Sequence, residues 1–205
     1  MVVRRLSGLY LITMPVADLF ERVELALQLG VRILQYRAKD EAPARQRQVA
    51  GELRQLCRQY GALLIVNDSI ELARGCAADG VHLGQNDGNV AAARHELGPD
   101  ALVGLSTHCL AEAVAAEEQG ADYIGFGCLF PTGTKTDTIA ASLDELRRVR
   151  RAVRLPIVGI GGIDADNAGQ VLRAGADAVA VISAVMQADG PAEAIRHILQ
   201  ICQTT

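Results

Sequence analysis

Eight short apolar runs, each followed by a stretch with helical spacing, dominate the sequence. The runs have the length of buried strands and read LYLIT, VRILQYR, LLIVN, GVHL, LVGLS, DYIGFG, PIVGIGG and DAVAVIS. The stretches between them are rich in Ala, Leu, Arg and Glu, and several end on a glycine that suits a helix C-terminus. The junctions LGVRILQ, AADGVHLG, GADYIGFG and AGADAVAV resemble one another, so the pattern indicates a repeated βα unit.

Eight such units predict an α/β protein, a single-domain (β/α)8 TIM barrel that covers residues 1–205. The usual size of this fold is about 250 residues, so the connections between elements must be short. An open, doubly wound sheet is the alternative. That fold more often carries a GxGxxG turn after its first strand, and LITMPVAD has no such turn.

Composition limits the kinds of partner that the protein can bind and indicates its cellular compartment. A formal net charge of -4 argues against nucleic-acid binding by general phosphate neutralisation. The five cysteines are scattered and form no CxxC pair, so they predict neither a disulfide framework nor a zinc site. The apolar run near the N-terminus is too short for a signal peptide or a membrane span, which predicts a cytoplasmic protein with no membrane partner. A homo-oligomer is compatible with the sequence.

In a barrel of this kind, the chemistry lies at the C-terminal ends of the strands. Strand two ends with Gln35, Arg37 and Lys39 at alternating positions, which places their side chains on one face while the chain stays extended. A guanidinium fork beside a mobile ammonium suits a phosphate or diphosphate. The alternative for an RxK pattern alone is a solvated loop with ordinary salt bridges.

Strands three and four both end in Asn-Asp, at Asn67-Asp68 and Asn86-Asp87. Consecutive barrel strands are neighbours, so the two carboxylates can face one small volume. Together with waters and phosphate oxygens, two carboxylates form a shell that Mg²⁺ accepts. Asp68 could instead cap the following helix, and the second pair could be turn chemistry. With Lys39 near, we favour a metal site.

Strand five ends in Ser106, Thr107 and His108, but the sequence has no GxSxG motif and no identifiable third member of a triad. We therefore expect Ser106 to form hydrogen bonds and His108 to be structural. The loops after strands six to eight suit an anion held by hydroxyls and main chain, and they carry Thr132, Gly133, Thr134, Lys135, Gly161, Gly162, Ile182 and Ser183. Ile182 and Ser183 are expected to open the last helix. For the glycines, the alternative is a tight turn.

These strand ends resemble those of the thiamine phosphate synthase family. The similarity covers nearly the whole chain, through QYRAK, IVNDSIELA, ADGVHLGQND, VGLSTH, ADYIGFGCLFPTGTK, PIVGIGGI and GADAVAVISA. The resemblance implies a (β/α)8 barrel that is a transferase. It would join a hydroxymethylpyrimidine diphosphate to a thiazole phosphate, with Mg²⁺ as cofactor, and would release pyrophosphate by a dissociative substitution.

The resemblance also implies a role for each matching position. Residues that would hold the pyrimidine diphosphate and its leaving group are Gln35, Arg37, Lys39, Asn67, Ser106 and Lys135, of which Arg37, Lys39, Ser106 and Lys135 would act in catalysis. Asp68 and Asp87 would bind Mg²⁺. Thr132, Gly133 and Thr134, with main chain at Gly162, Ile182 and Ser183, would hold the thiazole phosphate. One departure follows Lys135, where the chain has Thr136 and no nearby glycine.

Two other functions are compatible with parts of the pattern. A thiazole tautomerase-like relative would share the barrel and the thiazole site but would transfer a proton, and His108 would then matter. A non-catalytic sensor of thiamine intermediates is less favoured, because nothing in the sequence resembles an output module.

Overall fold

The computed structural model describes residues 6–133 and 140–205. Eight strands form a closed parallel barrel in sequence order, which confirms the predicted (β/α)8 fold and excludes the open sheet. The strands are β1 (Gly8–Ile12), β2 (Ile33–Tyr36), β3 (Leu63–Asn67), β4 (Gly80–Leu83), β5 (Leu102–Thr107), β6 (Tyr123–Phe126), β7 (Ile157–Ile160) and β8 (Ala178–Val181). Each strand coincides with one of the apolar runs predicted from the sequence, and β1 and β5 extend beyond their runs by one residue.

Helices follow the strands and cover the outside of the barrel. They are α1 (Leu19–Gln28), α2 (Pro43–Gln59), α3 (Ile70–Gly75), α4 (Val90–Leu97), α5 (Leu110–Glu118), α6 (Leu143–Ala152), α7 (Ala168–Arg173), α8 (Ser183–Met186) and α9 (Pro191–Thr204). Among the described residues, no helix is both long and apolar enough to cross a membrane.

The prediction that Ile182 and Ser183 open the last helix is wrong. Ser183 begins the four-residue helix α8, and α9 starts separately at Pro191. The reason lies in the sequence between them: proline lacks an N–H and fixes φ, so Gly190-Pro191 favours the start of a new helix over the continuation of the old one.

Two apolar cores follow from the alternation of side chains along each strand. The outer core lies between the barrel and the helices and holds residues such as Leu11, Leu34 and Leu64. The inner core fills the barrel and is made mainly by Tyr10, Ile12, Ile33, Leu63, Ile65, Leu102, Tyr123, Val158, Ala178 and Ala180. Beyond this filled interior, a cavity lies at the end of the barrel where the strands finish.

Three aspartates brace the opposite end of the barrel. Asp79, Asp122 and Asp177 each precede an even-numbered strand and accept the main-chain N–H of a residue in the neighbouring strand, at 2.8, 2.7 and 2.8 Å. Each also pairs with an arginine from an even-numbered helix. The recurring junction seen in the sequence is therefore a repeated structural device that fixes the barrel away from its mouth.

Candidate active site

A cavity opens at the C-terminal ends of the strands. Its wall includes Gln35, Arg37, Asn67, His82, Ser106, Thr107, His108, Cys128, Thr132, Gly161, Gly162, Ile182 and Ser183. Residues from β2, β3, β4 and β5 meet residues from the loops after β6, β7 and β8 across this space. The structure thus brings together most of the positions that the sequence predicted for two separate anions.

On the β2 and β3 side, Arg37 is the cationic group. Its main-chain N–H donates to Oγ1 of Thr13 at 3.0 Å, which ties the start of the loop after β2 to the end of β1. The side-chain Nε is buried and has no hydrogen-bond partner among residues 6–133 and 140–205. A buried guanidinium N–H without a partner costs free energy. The Arg37 residue also lines the cavity, where its positive charge would attract an anion.

Lys39 points into a neighbouring recess instead of the main cavity. This recess is bounded by Lys39, Gln46, Asn67, Asp68 and a few apolar residues. Nζ of Lys39 lies 2.7 Å from Oδ2 of Asp68. Asn67 borders both spaces, so the recess and the main cavity are adjacent parts of one site.

The two predicted metal ligands face each other and affect each other's protonation. Burial raises the pKa of the Asp87 carboxyl, and the nearby Asp68 carboxylate raises it further. For Asp68, burial alone would raise the pKa, but hydrogen bonds from Lys39, Asp87 and Asn67 and the charge of Lys39 outweigh it and lower the value. Two carboxylates so placed repel each other, and a cation near both would relieve that repulsion.

The structure also shows whether these aspartates form the helix cap and the turn that the sequence allowed. Oγ of Ser69, not Asp68, caps α3 by accepting the N–H of Leu72 at 3.1 Å. Asp68 instead has φ of 64°, a left-handed conformation that an aspartate tolerates. Asp87 does take part in turn chemistry, because its Oδ2 accepts the N–H of Gly84 at 2.9 Å. Asp87 therefore stabilises the turn and interacts with Asp68 at the same time.

On the opposite side of the cavity, the loops after β6 and β7 pack main chain against main chain. Gly162 has φ of 60°, and a Cβ there would lie 2.9 Å from the carbonyl oxygen of Phe130. The glycine is thus required by loop packing as well as by the turn. Of the described residues after β6, Thr132 lines the cavity, whereas Gly133 is exposed. Thr134, Lys135 and Thr136 lie outside the described residues.

His108 lies on the cavity wall and is held by the first turn of α5. Oε2 of Glu112 accepts the main-chain N–H of His108 at 2.7 Å and lies 3.0 Å from its Nδ1. These contacts hold the imidazole of His108 against the first turn of α5.

Three polar residues of this site were missed by the sequence analysis. His82, Tyr10 and Tyr123 lie inside the barrel and form a hydrogen-bonded chain between Gln35 and Ser106. The available signal was position: each lies at an inward-facing place of an otherwise apolar strand, where a hydroxyl or an imidazole needs a partner.

Comparison with known proteins agrees with this geometry. Residues 9–185 match the model of the TMP-TENI family, thiamine monophosphate synthase. The chain is 47% identical over 196 residues to the thiamine-phosphate synthase of Halorhodospira halophila, covering 95% of this chain and 94% of that protein. It is 49% identical over 193 residues to the enzyme of the same name from Azoarcus sp., covering 91% and 93%.

Solved structures give the same result. A thiamine phosphate pyrophosphorylase from Pyrococcus furiosus superposes with a TM-score of 0.90 at 38% identity, covering 98% of this chain and 97% of that one. A geranylgeranylglyceryl phosphate synthase from Thermoplasma acidophilum, at 14% identity and a TM-score of 0.73, shares the fold alone. With the family model spanning most of the barrel and the relatives aligned nearly end to end, the chain belongs to the thiamine monophosphate synthase family, whose members are transferases of thiamine biosynthesis.

Proposed function

We propose that this enzyme condenses 4-amino-5-hydroxymethyl-2-methylpyrimidine diphosphate with thiazole phosphate to give thiamine phosphate and pyrophosphate. The C–O bond between the pyrimidine methylene carbon and the diphosphate breaks, and its electron pair leaves with pyrophosphate. The lone pair of the thiazole nitrogen then forms the new C–N bond to that carbon. No proton is lost at the nitrogen, so the reaction needs no general base.

One observation carries this proposal: a single cavity is lined on one side by Gln35, Arg37, Asn67 and Ser106, and on the other by Thr132, Gly162, Ile182 and Ser183. The first group offers a cation, amides and a hydroxyl, which suits a diphosphate and a heteroaromatic ring. The second offers main chain and hydroxyls, which suits a monophosphate. A substrate on each side would place the reacting carbon and nitrogen next to each other.

On the pyrimidine side, the work is to stabilise negative charge as it develops on the leaving group. Arg37 lies on the cavity wall with a buried Nε that has no described partner, and Lys39 lies in the adjoining recess. Lys39 is bound to Asp68 in the structure, and on substrate binding its mobile ammonium would exchange that carboxylate for a phosphate oxygen. Lys135 is proposed for the same task on the basis of the family resemblance.

The carboxylates of Asp68 and Asp87 fit a divalent cation. Burial and the Asp68 carboxylate raise the pKa of Asp87, whereas hydrogen bonds from Lys39, Asp87 and Asn67 outweigh burial and lower the pKa of Asp68. Oxygen donors are what Mg²⁺ requires. Among the described residues, no cluster of three or more His, Cys, Asp or Glu side chains could hold a metal, so substrate oxygens and water would complete the shell. When bound, Mg²⁺ would supply positive charge to the leaving pyrophosphate.

A thiazole tautomerase-like activity is the second candidate. It is favoured by His108, an imidazole on the cavity wall whose Nδ1 is held by Glu112, since proton transfer would need such a group. It gives no role to Asp68 or Asp87, and for that reason we place it second.

Pyrophosphate release separates the candidates. With both substrates and Mg²⁺, the proposed reaction yields one pyrophosphate for each thiamine phosphate formed, and chelation of the metal stops it. A tautomerase would release no pyrophosphate and would exchange a substrate proton with solvent without metal. A sensor would bind a substrate or product without turnover. Absence of pyrophosphate release under these conditions would refute the proposal.

A further inference from the structure

A continuous chain of polar side chains crosses the interior of the barrel and lines the inner end of the cavity. Nε2 of Gln35 donates to Oη of Tyr10 at 2.9 Å, and that oxygen lies 2.9 Å from Oη of Tyr123. The chain continues from Tyr123 to Nδ1 of His82 at 3.1 Å, and from Nε2 of His82 to Oγ of Ser106 at 3.0 Å. Both ends are residues proposed to contact substrate, whereas the three middle residues belong to no part of the site inferred from the family.

The direction of the protons along this chain follows from the donor that Gln35 supplies at one end and from the burial of the two tyrosines. Burial raises the pKa of Tyr10 to about 12 and raises that of Tyr123 well above its ordinary value, so both are neutral phenols with one proton to donate. Tyr10 already accepts from Gln35. If Tyr123 also donated to Tyr10, the hydroxyl proton of Tyr10 would have no acceptor among residues 6–133 and 140–205. Leaving such a donor unsatisfied costs about 1–3 kcal/mol.

The favoured direction is therefore from Gln35 to Tyr10, from Tyr10 to Tyr123, and from Tyr123 to Nδ1 of His82. Hydrogen bonds that run in one direction also polarise and strengthen each other. His82 must then carry its proton on Nε2, which donates to Oγ of Ser106. The hydroxyl of Ser106, already an acceptor, is left with its own proton to donate, and Ser106 lies on the cavity wall.

The barrel interior is shaped to hold this chain. Strand β5, which neighbours the strand of His82, and strand β6 have glycine at the inward-facing positions that follow Leu102 and Tyr123. A Cβ on Gly104 would overlap the ring of Tyr123 and lie 2.6 Å from Nδ1 of His82, and a Cβ on Gly125 would lie 3.0 Å from Cε1 of His82. Side chains at these two places would displace the imidazole.

We propose that Tyr10, Tyr123 and His82 are positioning residues that form a one-way hydrogen-bond relay. The relay holds Ser106 as a hydrogen-bond donor toward an acceptor of the substrate, and it links the orientation of Ser106 to that of Gln35. This inference rests on the proposed function only in taking Ser106 and Gln35 as contacts of the pyrimidine diphosphate. A donor at Ser106 suits an oxygen of the departing diphosphate or a ring nitrogen, whereas an acceptor there would repel either.

The first test is spectroscopic and needs no turnover. Two-dimensional ¹⁵N NMR of protein labelled at its four histidines reports which ring nitrogen carries the proton, and a His82→Gln variant identifies the signals of His82. We expect His82 to be the Nε2–H tautomer in the wild type and a mixture of tautomers in Tyr123→Phe, which removes the donor to Nδ1. A wild-type His82 protonated on Nδ1 would overturn the proposal.

The second test is kinetic and uses pyrophosphate release. Tyr123→Phe is expected to lower kcat about tenfold, the effect of about one hydrogen bond in the transition state, while Tyr60→Phe on the outer surface serves as the control and leaves kcat unchanged. In a Ser106→Ala background, Tyr123→Phe should cost less than twofold more, since its effect passes through Ser106. If the full tenfold loss recurs in that background, the relay is wrong.

These two readouts also separate the relay from the proposed function. If no pyrophosphate is released by the wild type, the synthase proposal fails while the NMR experiment still tests the tautomer. If Tyr123→Phe does not fold, Tyr10→Phe interrupts the same chain one step earlier. Because Nδ1 of His82 is then the acceptor left to the Tyr123 hydroxyl among the described residues, His82 should keep the Nε2–H tautomer of the wild type, and a change to the Nδ1–H tautomer would overturn the direction of the relay.

Discussion

Nζ of Lys39 and Oδ2 of Asp68 lie 2.7 Å apart across the recess beside the main cavity. A cation predicted to bind a diphosphate and a carboxylate predicted to bind a metal thus hold each other. Each occupies the place that its proposed ligand would take: an anion beside Lys39 and a cation beside Asp68. Binding of Mg²⁺ together with a diphosphate would exchange one ion pair for two, which makes joint binding of metal and substrate more favourable than binding of either alone.

Replacing Asp87 with alanine should remove most metal-dependent turnover. The variant leaves one carboxylate, Asp68, and that group already has Lys39 as a partner, so the cation site loses half of its protein charge. We expect pyrophosphate release at saturating Mg²⁺ to fall by about a hundredfold or more. Asp100→Ala, an exposed aspartate in a turn after α4, is the control. A rate near that of the wild type in Asp87→Ala would exclude the metal assignment.

The contact between Asp87 and Asp68 also predicts that ionised Asp87, a proposed metal ligand, destabilises the metal-free protein. Because the pKa of Asp87 is raised by burial and by Asp68, its ionised form is less favourable in the folded than in the unfolded state. The free energy of unfolding therefore falls as pH rises from the ordinary pKa of an aspartate through the raised pKa of Asp87 in the folded protein. This loss persists at neutral pH. Without metal, Asp87→Asn should be more stable than the wild type at pH 7. The gain should not exceed about 1 kcal/mol, because Asp87 is exposed and solvent screens its interaction with Asp68.

Thermal unfolding of both proteins in chelator at several pH values checks this prediction. The advantage of Asp87→Asn should vanish well below pH 3.8, the ordinary value for the carboxyl group, where both states bind the proton. The asparagine keeps an oxygen that can accept the N–H of Gly84, so the turn is preserved. An advantage independent of pH, or a less stable variant at pH 7, would contradict the electrostatic explanation.

The barrel itself could be predicted from the sequence, because a strand buried on both faces gives an apolar run that recurs once in each βα unit. Polar residues at strand ends could also be predicted, since the fold places them at one mouth. The partners of those residues could not. The ion pair of Lys39 with Asp68 and the choice of Ser69 over Asp68 as the helix cap depend on local φ and on side-chain direction, which the sequence does not state.

The relay was hidden for a different reason. In the strands LYLIT and DYIGFG, a tyrosine reads as one more large apolar residue, and only the closed barrel brings the hydroxyls of Tyr10 and Tyr123, 113 positions apart, to 2.9 Å. The three bracing aspartates were visible as the repeated junction but not as hydrogen-bond acceptors. Each of these aspartates also forms an ion pair with an arginine on α2, α4 or α6. These pairs can be recognised only when the positions of the strands and helices are known.

Gly104→Ala should destabilise the barrel from within. The added methyl group would overlap the ring of Tyr123 and crowd His82, and overpacking of this kind costs about 1–3 kcal/mol. Gly51→Ala is the matched control, because Gly51 lies within α2 with nothing within 4 Å of the added Cβ, and alanine there should stabilise the helix by about 0.5–1 kcal/mol. Urea unfolding should move in opposite directions for the two variants; equal midpoints would show that the interior accommodates the methyl group freely.

Asp122→Ala should weaken the fold while leaving substrate affinity unchanged. Oδ2 of Asp122 accepts the main-chain N–H of Val103 at 2.7 Å and lies 2.8 Å from Nη2 of Arg94, so its removal leaves both donors without this acceptor at the end of the barrel opposite the cavity. Hydrogen bonds to charged groups contribute about 1.5–3 kcal/mol each, and we expect a loss of about 2–3 kcal/mol in urea unfolding.

Asp144→Ala is the control. It removes an exposed carboxylate whose pairing with Arg147 on α6 is a surface contact, and it should cost about 0.5 kcal/mol or less. The KM for each substrate should stay at the wild-type value in both variants. A raised KM in Asp122→Ala would show that changes at this end of the barrel alter the substrate site. It would contradict a purely structural role for Asp122.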